Sequence, residues 1–96
     1  MLRHTSAMTA AAPATIAVRV ILFASYADLA GTDEVTATLP GMARVTDLLD
    51  WARATLPGGA RLPDRPLVAV NRTHVRLDTV LIDGDEVALL PPMAGG

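Results

Sequence analysis

Few side chains in this 96-residue sequence are of a type that does chemistry, and those that are do not group into a catalytic set. Cysteine is absent, so disulfides, thiolate metal sites and thiol catalysis by this chain are excluded. His4 and His74 are the two histidines; neither has a second ligand near it in sequence, so both read as solvated and no metal is expected. Asp83, Asp85 and Glu86 form an acidic group, but Asp-Gly-Asp is first of all a turn signal rather than a calcium loop. What remains is the terminus, Gly95-Gly96. Glycine has no Cβ and takes backbone angles closed to other residues, so such an end can thread a narrow channel to a reacting centre. With glycine at 7 of 96 residues, a terminal pair arises by chance on the order of once in two hundred. The Gly96 carboxylate is a poor electrophile. Adenylation by a partner that consumes ATP would supply a leaving group, and a persulfide could displace AMP to leave a thiocarboxylate. The sulfur must come from elsewhere, and in this reading the terminus is a substrate while the chain has no catalytic side chain and no bound cofactor.

Composition narrows the partners. The formal net charge is −2 and the arginines are scattered, which removes the electrostatic basis for binding nucleic acid. All eight basic residues are arginine. An activated acyl terminus is safer on a chain without side-chain amines, although codon bias behind an Ala, Arg, Gly and Pro-rich composition is the simpler cause. The longest apolar runs, Val20–Ala24 and Val87–Met93, fall far short of the roughly 18 residues that span a bilayer, so a soluble, cytoplasmic protein with no membrane partner is expected. Residues 1–14 lack the continuous apolar stretch of a secretory signal and read as a disordered leader, with Met8 an alternative start.

The elements that must carry the tail follow from periodicity. Ile16–Ala24 is apolar but for Arg19, the pattern of a strand covered on both faces. Ser25–Gly31 reads as a short connection, Glu34–Leu39 alternates as a half-buried strand, and Pro40-Gly41 closes the hairpin. A single helix follows, with Thr46 as N-cap, Asp47 and Asp50 in the first turn, a stripe of Leu48, Leu49, Ala52 and Leu56, and Asp50 and Arg53 outward. Trp51 lies one residue beyond that stripe and reads either as boundary packing or as an exposed contact. Pro57-Gly58-Gly59 ends the helix. Leu67–Val70, His74–Leu77 and Glu86–Leu90 read as strands, the last after the Asp83-Gly84 turn. Two hairpins flanking a helix give an α+β domain with a mixed sheet of four to five strands and one main helix. A β-grasp order, with the first and last strands central and parallel, would explain why these two are the most apolar. The expected division is a leader (1–14), a domain (15–90) and an extended tail (91–96).

Pro91-Pro92 cannot continue a strand ladder and holds the chain extended, so Pro91, Pro92, Met93, Ala94, Gly95 and Gly96 can reach roughly 20 Å into a partner at ~3.3 Å per residue. Leu89, Pro92 and Met93, with Phe23, are the candidate partner contacts beside it.

The run LVAVNRTHVRLDTVLIDGDEVALLPPMAGG (67–96) resembles the small, sulfur-carrying subunit of molybdopterin synthase, the MoaD type within the wider ThiS-like sulfur carriers. LFASYADLAGTDEV resembles that family's first hairpin, so the likeness spans roughly Val18–Gly96. Its most specific pieces are Asp83-Gly84-Asp85-Glu86-Val87, Pro91-Pro92 and Gly95-Gly96. The resemblance implies a ubiquitin-like β-grasp fold and a tail that inserts into a large catalytic subunit, in an assembly of two small and two large subunits. There the thiocarboxylate on Gly96 would donate sulfur to a pterin precursor of the molybdenum cofactor. It also implies an E1-like adenylating enzyme and a sulfur donor protein as partners. Ala27-Asp28 stands where many relatives have Arg-Glu, and Arg72 where many have Gly after Asn71. Sulfur carriers of thiamine or cysteine biosynthesis, a ubiquitin-like protein modifier ending in isopeptide linkage, and a binding module with an inert terminus are the competing readings.

Overall fold

In the computed structural model, which describes residues 14–92, the chain runs β1 (Thr15–Leu22), α1 (Ser25–Ala30), β2 (Glu34–Pro40), α2 (Val45–Thr55), a 3-10 turn (Gly59–Arg61), β3 (Leu67–Val70), β4 (Thr73–His74) and β5 (Glu86–Leu90). The leader, apart from Ala14, and tail residues Met93, Ala94, Gly95 and Gly96 lie outside the described residues.

The strands form one sheet in the order β2-β1-β5-β3-β4. β1 pairs antiparallel with β2 from Thr15↔Pro40 to Ile21↔Glu34 and parallel with β5 from Arg19↔Glu86 to Leu22↔Leu89. β3 pairs antiparallel with both β5 and β4. The first and last strands are thus adjacent and parallel, and α2 crosses one face, as a β-grasp arrangement requires.

Period-two alternation sends Ile16, Val18, Val20 and Leu22 of β1, Ala37 and Leu39 of β2, and Val87 and Leu89 of β5 into a single core. The stripe Val45, Leu48, Leu49 and Ala52 of α2 closes it, with Trp51 and Leu56 half-buried against its edge. Trp51 is therefore boundary packing.

Five local expectations are corrected. β1 is covered on one face only: Thr15, Ala17 and Arg19 are exposed on the other. Ser25–Ala30 is a helical turn rather than a bare connection; Tyr26 and Ala30 anchor it in the core, and Gly31, at φ 75, ends it by donating to the Ala27 carbonyl. The N-cap of α2 is Arg44, not Thr46, because the first helical N–H groups find carbonyls in a distant loop: Val45 donates to Thr79 (2.9 Å) and Thr46 to Leu77 (3.0 Å). The Arg44 N–H donates to Asp47 Oδ2 at 2.7 Å. Arg53 turns back rather than outward, donating to the Leu62 carbonyl at 3.0 Å and pairing with Asp64 at 2.9 Å. The strand expected over His74–Leu77 reduces to Thr73–His74.

Candidate functional site

The tail leaves from the end of the central strand, so what fixes β5 also fixes the tail. Its lower end is clipped on both sides by short polar side chains. Asp85 is 8% exposed and accepts from Asn71 Nδ2 (2.9 Å) and from the Ile82 N–H (2.8 Å). Asn71 Oδ1 accepts from the Glu86 N–H (3.0 Å), and the Asn71 N–H donates to the Glu86 carbonyl (2.7 Å). Toward β1, Asp83 Oδ1 accepts from the Ala17 N–H (2.7 Å), while Gly84 donates to the Ala17 carbonyl (2.8 Å). The acidic group of the turn is thus a set of hydrogen-bond acceptors that pins β5 between its two neighbours.

Asn71 and Arg72 both have positive φ, 50° and 72°, in the two-residue β3–β4 hairpin loop, the pattern of a type I′ turn. Asn suits the first position. Arg72 occupies the second, where Gly would carry no Cβ penalty.

Above the clip, the side of the sheet away from α2 changes character along its length. At the lower end Arg19 bridges Glu34 (3.0 Å) and Glu86 (3.4 Å). The hydrogen bond and charge of Arg19 hold the Glu34 carboxyl below its ordinary 4.5. Two residues further up, Ile21 lies beside Ala88, which lies beside Ala69. At the top Leu90 pairs with Leu67, which is 50% exposed. The β1–β5 register continued by one residue brings Phe23, 45% exposed, beside Leu90. Charge therefore gives way to an apolar end, Ile21, Phe23, Leu67, Ala88 and Leu90, from which Pro91 and Pro92 depart without secondary structure. An open groove of about 870 Å³ adjoins this end at Pro66 and Leu67, with Arg65 and Arg76 on its rim.

The expected contacts divide accordingly. Phe23 and Pro92 lie at the apolar end, exposed. Leu89 does not: it is 0% exposed because alternation turns it into the core under α2, so it is a packing residue and not an interface residue. Ile21, Leu67 and Leu90 were missed as surface candidates. Their signal was present, since β5 is apolar at every position after Glu86 although only Val87 and Leu89 are needed for the core. Burial pushes the Tyr26 phenol up from its ordinary value, which keeps it neutral and structural at the foot of Phe23, whose carbonyl accepts from the Tyr26 N–H at 3.0 Å. Among the described residues no group of three or more His, Asp or Glu could hold a metal ion. No helix among them is long and apolar enough to cross a membrane.

A five-stranded mixed sheet with parallel first and last strands, one crossing helix and a terminal strand that ends at the surface defines a ubiquitin-like β-grasp domain built to present its C-terminal segment. The chain belongs to the ThiS family, whose sequence model matches residues 20–96. It is 41% identical over 82 residues to the molybdopterin synthase sulfur carrier subunit of Escherichia coli (strain K12), covering 82% of this chain and 99% of that protein. It is 36% identical over 81 residues to the molybdopterin synthase sulfur carrier subunit of Chlamydomonas reinhardtii, covering 82% of this chain and 98% of the relative. Among solved structures, the crystal structure of SAMP1 from Haloferax volcanii, a small archaeal modifier protein, matches with a TM-score of 0.73 at 33% identity, covering 83% of this chain and 99% of that one.

Proposed function

We propose that this chain is the sulfur carrier and small subunit of a molybdopterin synthase, a non-catalytic subunit whose Gly96 carboxylate is the working group. The observation that carries the reading is the coincidence of the tail's point of departure with the apolar end of the open sheet face. A partner that covers Phe23, Leu67 and Leu90 meets the point from which the chain continues beyond Pro91 toward Gly96 in the same encounter. The family and the sulfur-carrier relatives support the chemistry assigned to it.

On this reading an E1-like enzyme catalyses attack of the Gly96 carboxylate on the α-phosphorus of ATP, releasing pyrophosphate and leaving an acyl-adenylate. A persulfide on a sulfur donor protein displaces AMP, and a thiol then cleaves the resulting acyl disulfide to free the thiocarboxylate. The loaded tail passes Met93, Ala94 and Gly95 into the large catalytic subunit, and sulfur transfers there to a pterin precursor of the molybdenum cofactor. The cytoplasm is the proposed compartment, and two small with two large subunits the proposed assembly. The test adds one residue after Gly96. Loss of rescue in a molybdenum-cofactor-deficient strain is expected, and preserved rescue with the extension intact would contradict the proposal.

The likeness to a small archaeal modifier protein favours a second reading, attachment of Gly96 to lysines of other proteins. Gly96-dependent conjugates on a denaturing blot distinguish it. Because this chain has no lysine, such conjugates would not extend into chains through lysine side chains of further copies.

A further inference from the structure

Among the described residues the sheet has an unpaired edge two strands from β5, and its hydrogen-bonding phase can be worked out residue by residue. Among the described residues β2 pairs on one side only, with β1. Leu22 donates to the Asp33 carbonyl (2.9 Å) and Gly41 to the Ala14 carbonyl (3.0 Å), which fixes the antiparallel alternation. Val35, Ala37 and Leu39 therefore turn their backbone groups toward β1, and Glu34, Thr36, Thr38 and Pro40 turn theirs outward. Both ends of this outward row are closed. Thr32 Oγ1 donates to the Glu34 carbonyl (3.1 Å) and accepts from the Glu34 N–H (3.4 Å), while Pro40 has no N–H to offer. Between them Thr36 and Thr38, both exposed, present N–H and C=O groups that bond to nothing among the described residues.

We propose that this window pairs with the same window of a second copy, antiparallel, about a two-fold axis through Ala37. Thr36 then faces Thr38 of the second copy in a hydrogen-bonded pair, and the symmetric pair repeats it. Every open N–H and C=O of Thr36 and Thr38 is used on both chains. The window is its own complement in length, phase and face. Glu34 faces Pro40, so the ladder stops where both edges are closed and no like charges are opposed. The threonines meet on the open side, and Val35 meets Leu39 on the helix side, which is favourable cross-strand pairing. An unrelated strand would need to reproduce both stops by coincidence. β2 lies two strands from β5, about 10 Å away at ~4.8 Å per strand, so Leu67, Ala88 and Leu90 stay clear of the dimer seam. The inference is independent of the sulfur-carrier reading.

An interface of one short strand pair belongs to the weak, transient class. Sedimentation equilibrium of the full chain from about 10 μM to about 1 mM should therefore show the mass rising from 10.0 kDa toward twice that value only near the top of the range. The Thr36 and Thr38 amide resonances should move with concentration while those of Val35, Ala37 and Leu39 stay. Thr38→Pro removes an outward N–H without touching the β1 ladder. Thr36→Lys with Thr38→Lys opposes like charges on an unaltered backbone. Each should weaken association at least about tenfold, and mixing the dilysine variant with Thr36→Glu/Thr38→Glu should restore it. A chain that stays monomeric at about 1 mM, or a dimer unchanged in the folded dilysine variant, would overturn the proposal.

Discussion

Phe23 and Leu89 looked equivalent as candidate contacts in the sequence, yet the fold gives them opposite fates, and truncating each to alanine separates packing from recognition. Leu89 is 0% exposed in the central strand, so Leu89→Ala removes a fully buried side chain at a cost of about 2–5 kcal/mol, against a total of roughly 5–15 kcal/mol for a domain. For a domain of this size that lowers Tm by about 8 °C even at the lower bounds of both ranges. Phe23 is 45% exposed. If a phenylalanine contributes about 200 Å², close to half of it, about 90 Å², is available to a partner, and at ~25 cal/mol per Å² its loss costs about 2 kcal/mol of binding. Phe23→Ala should therefore raise the Kd for the large subunit about thirtyfold while shifting Tm much less than Leu89→Ala does. Thermal unfolding and titration calorimetry of the two variants read both quantities. The reasoning is refuted if Phe23→Ala binds the large subunit like the unaltered chain, or if Leu89→Ala leaves Tm in place.

Asp85→Ala removes the acceptor for Asn71 Nδ2 and the Ile82 N–H at a site 8% exposed, and should cost about 2–3 kcal/mol in urea unfolding; a loss under half that would mean the clip is not what holds the base of β5. Arg72→Gly relieves a φ of 72° and should raise stability by about 1 kcal/mol, seen as a higher denaturant midpoint at unchanged slope, and a lower midpoint would contradict the strain assigned to this turn. Arg19 holds the Glu34 carboxyl below its ordinary 4.5, so the pair's stabilisation is present above that pH and is lost as pH falls through the folded-state value. Glu34→Gln should remove that part of the acid-side loss, and salt should shrink the difference between the two proteins because the pair is exposed; a difference that grows with added salt would argue against it.

The sequence made the sheet and its helix legible because their signals are local. Alternation in Glu34–Leu39, the stripe Leu48, Leu49 and Ala52, and the Asp83-Gly84 turn each specify an element within a few residues. What it hid depends on partners distant along the chain. The start of α2 is set by carbonyls of Leu77 and Thr79, which no capping pattern near Thr46 could reveal. Ser25–Ala30 is too short for helical periodicity to show, and only burial of Tyr26 and Ala30 makes it a helical turn. The apolar surplus in β1 and β5 was visible but ambiguous. Taken as cover on both faces, it correctly suggested central, parallel strands, although the cover is absent from the open side. The same surplus builds the apolar end at Ile21, Ala88 and Leu90. Whether Leu89 or Leu90 faces outward depends on strand phase, which composition does not carry.

The partner contact proposed for the apolar end serves the carboxylate of Gly96. Incubating the chain with its adenylating enzyme, ATP and a sulfur donor, followed by intact-mass and fragment-ion spectrometry, reports on that group alone. The expected result is a mass gain equal to exchange of one oxygen for one sulfur, confined to the C-terminal residue and absent when ATP is withheld. An unmodified carboxylate, under conditions that load an authentic carrier, would contradict the account.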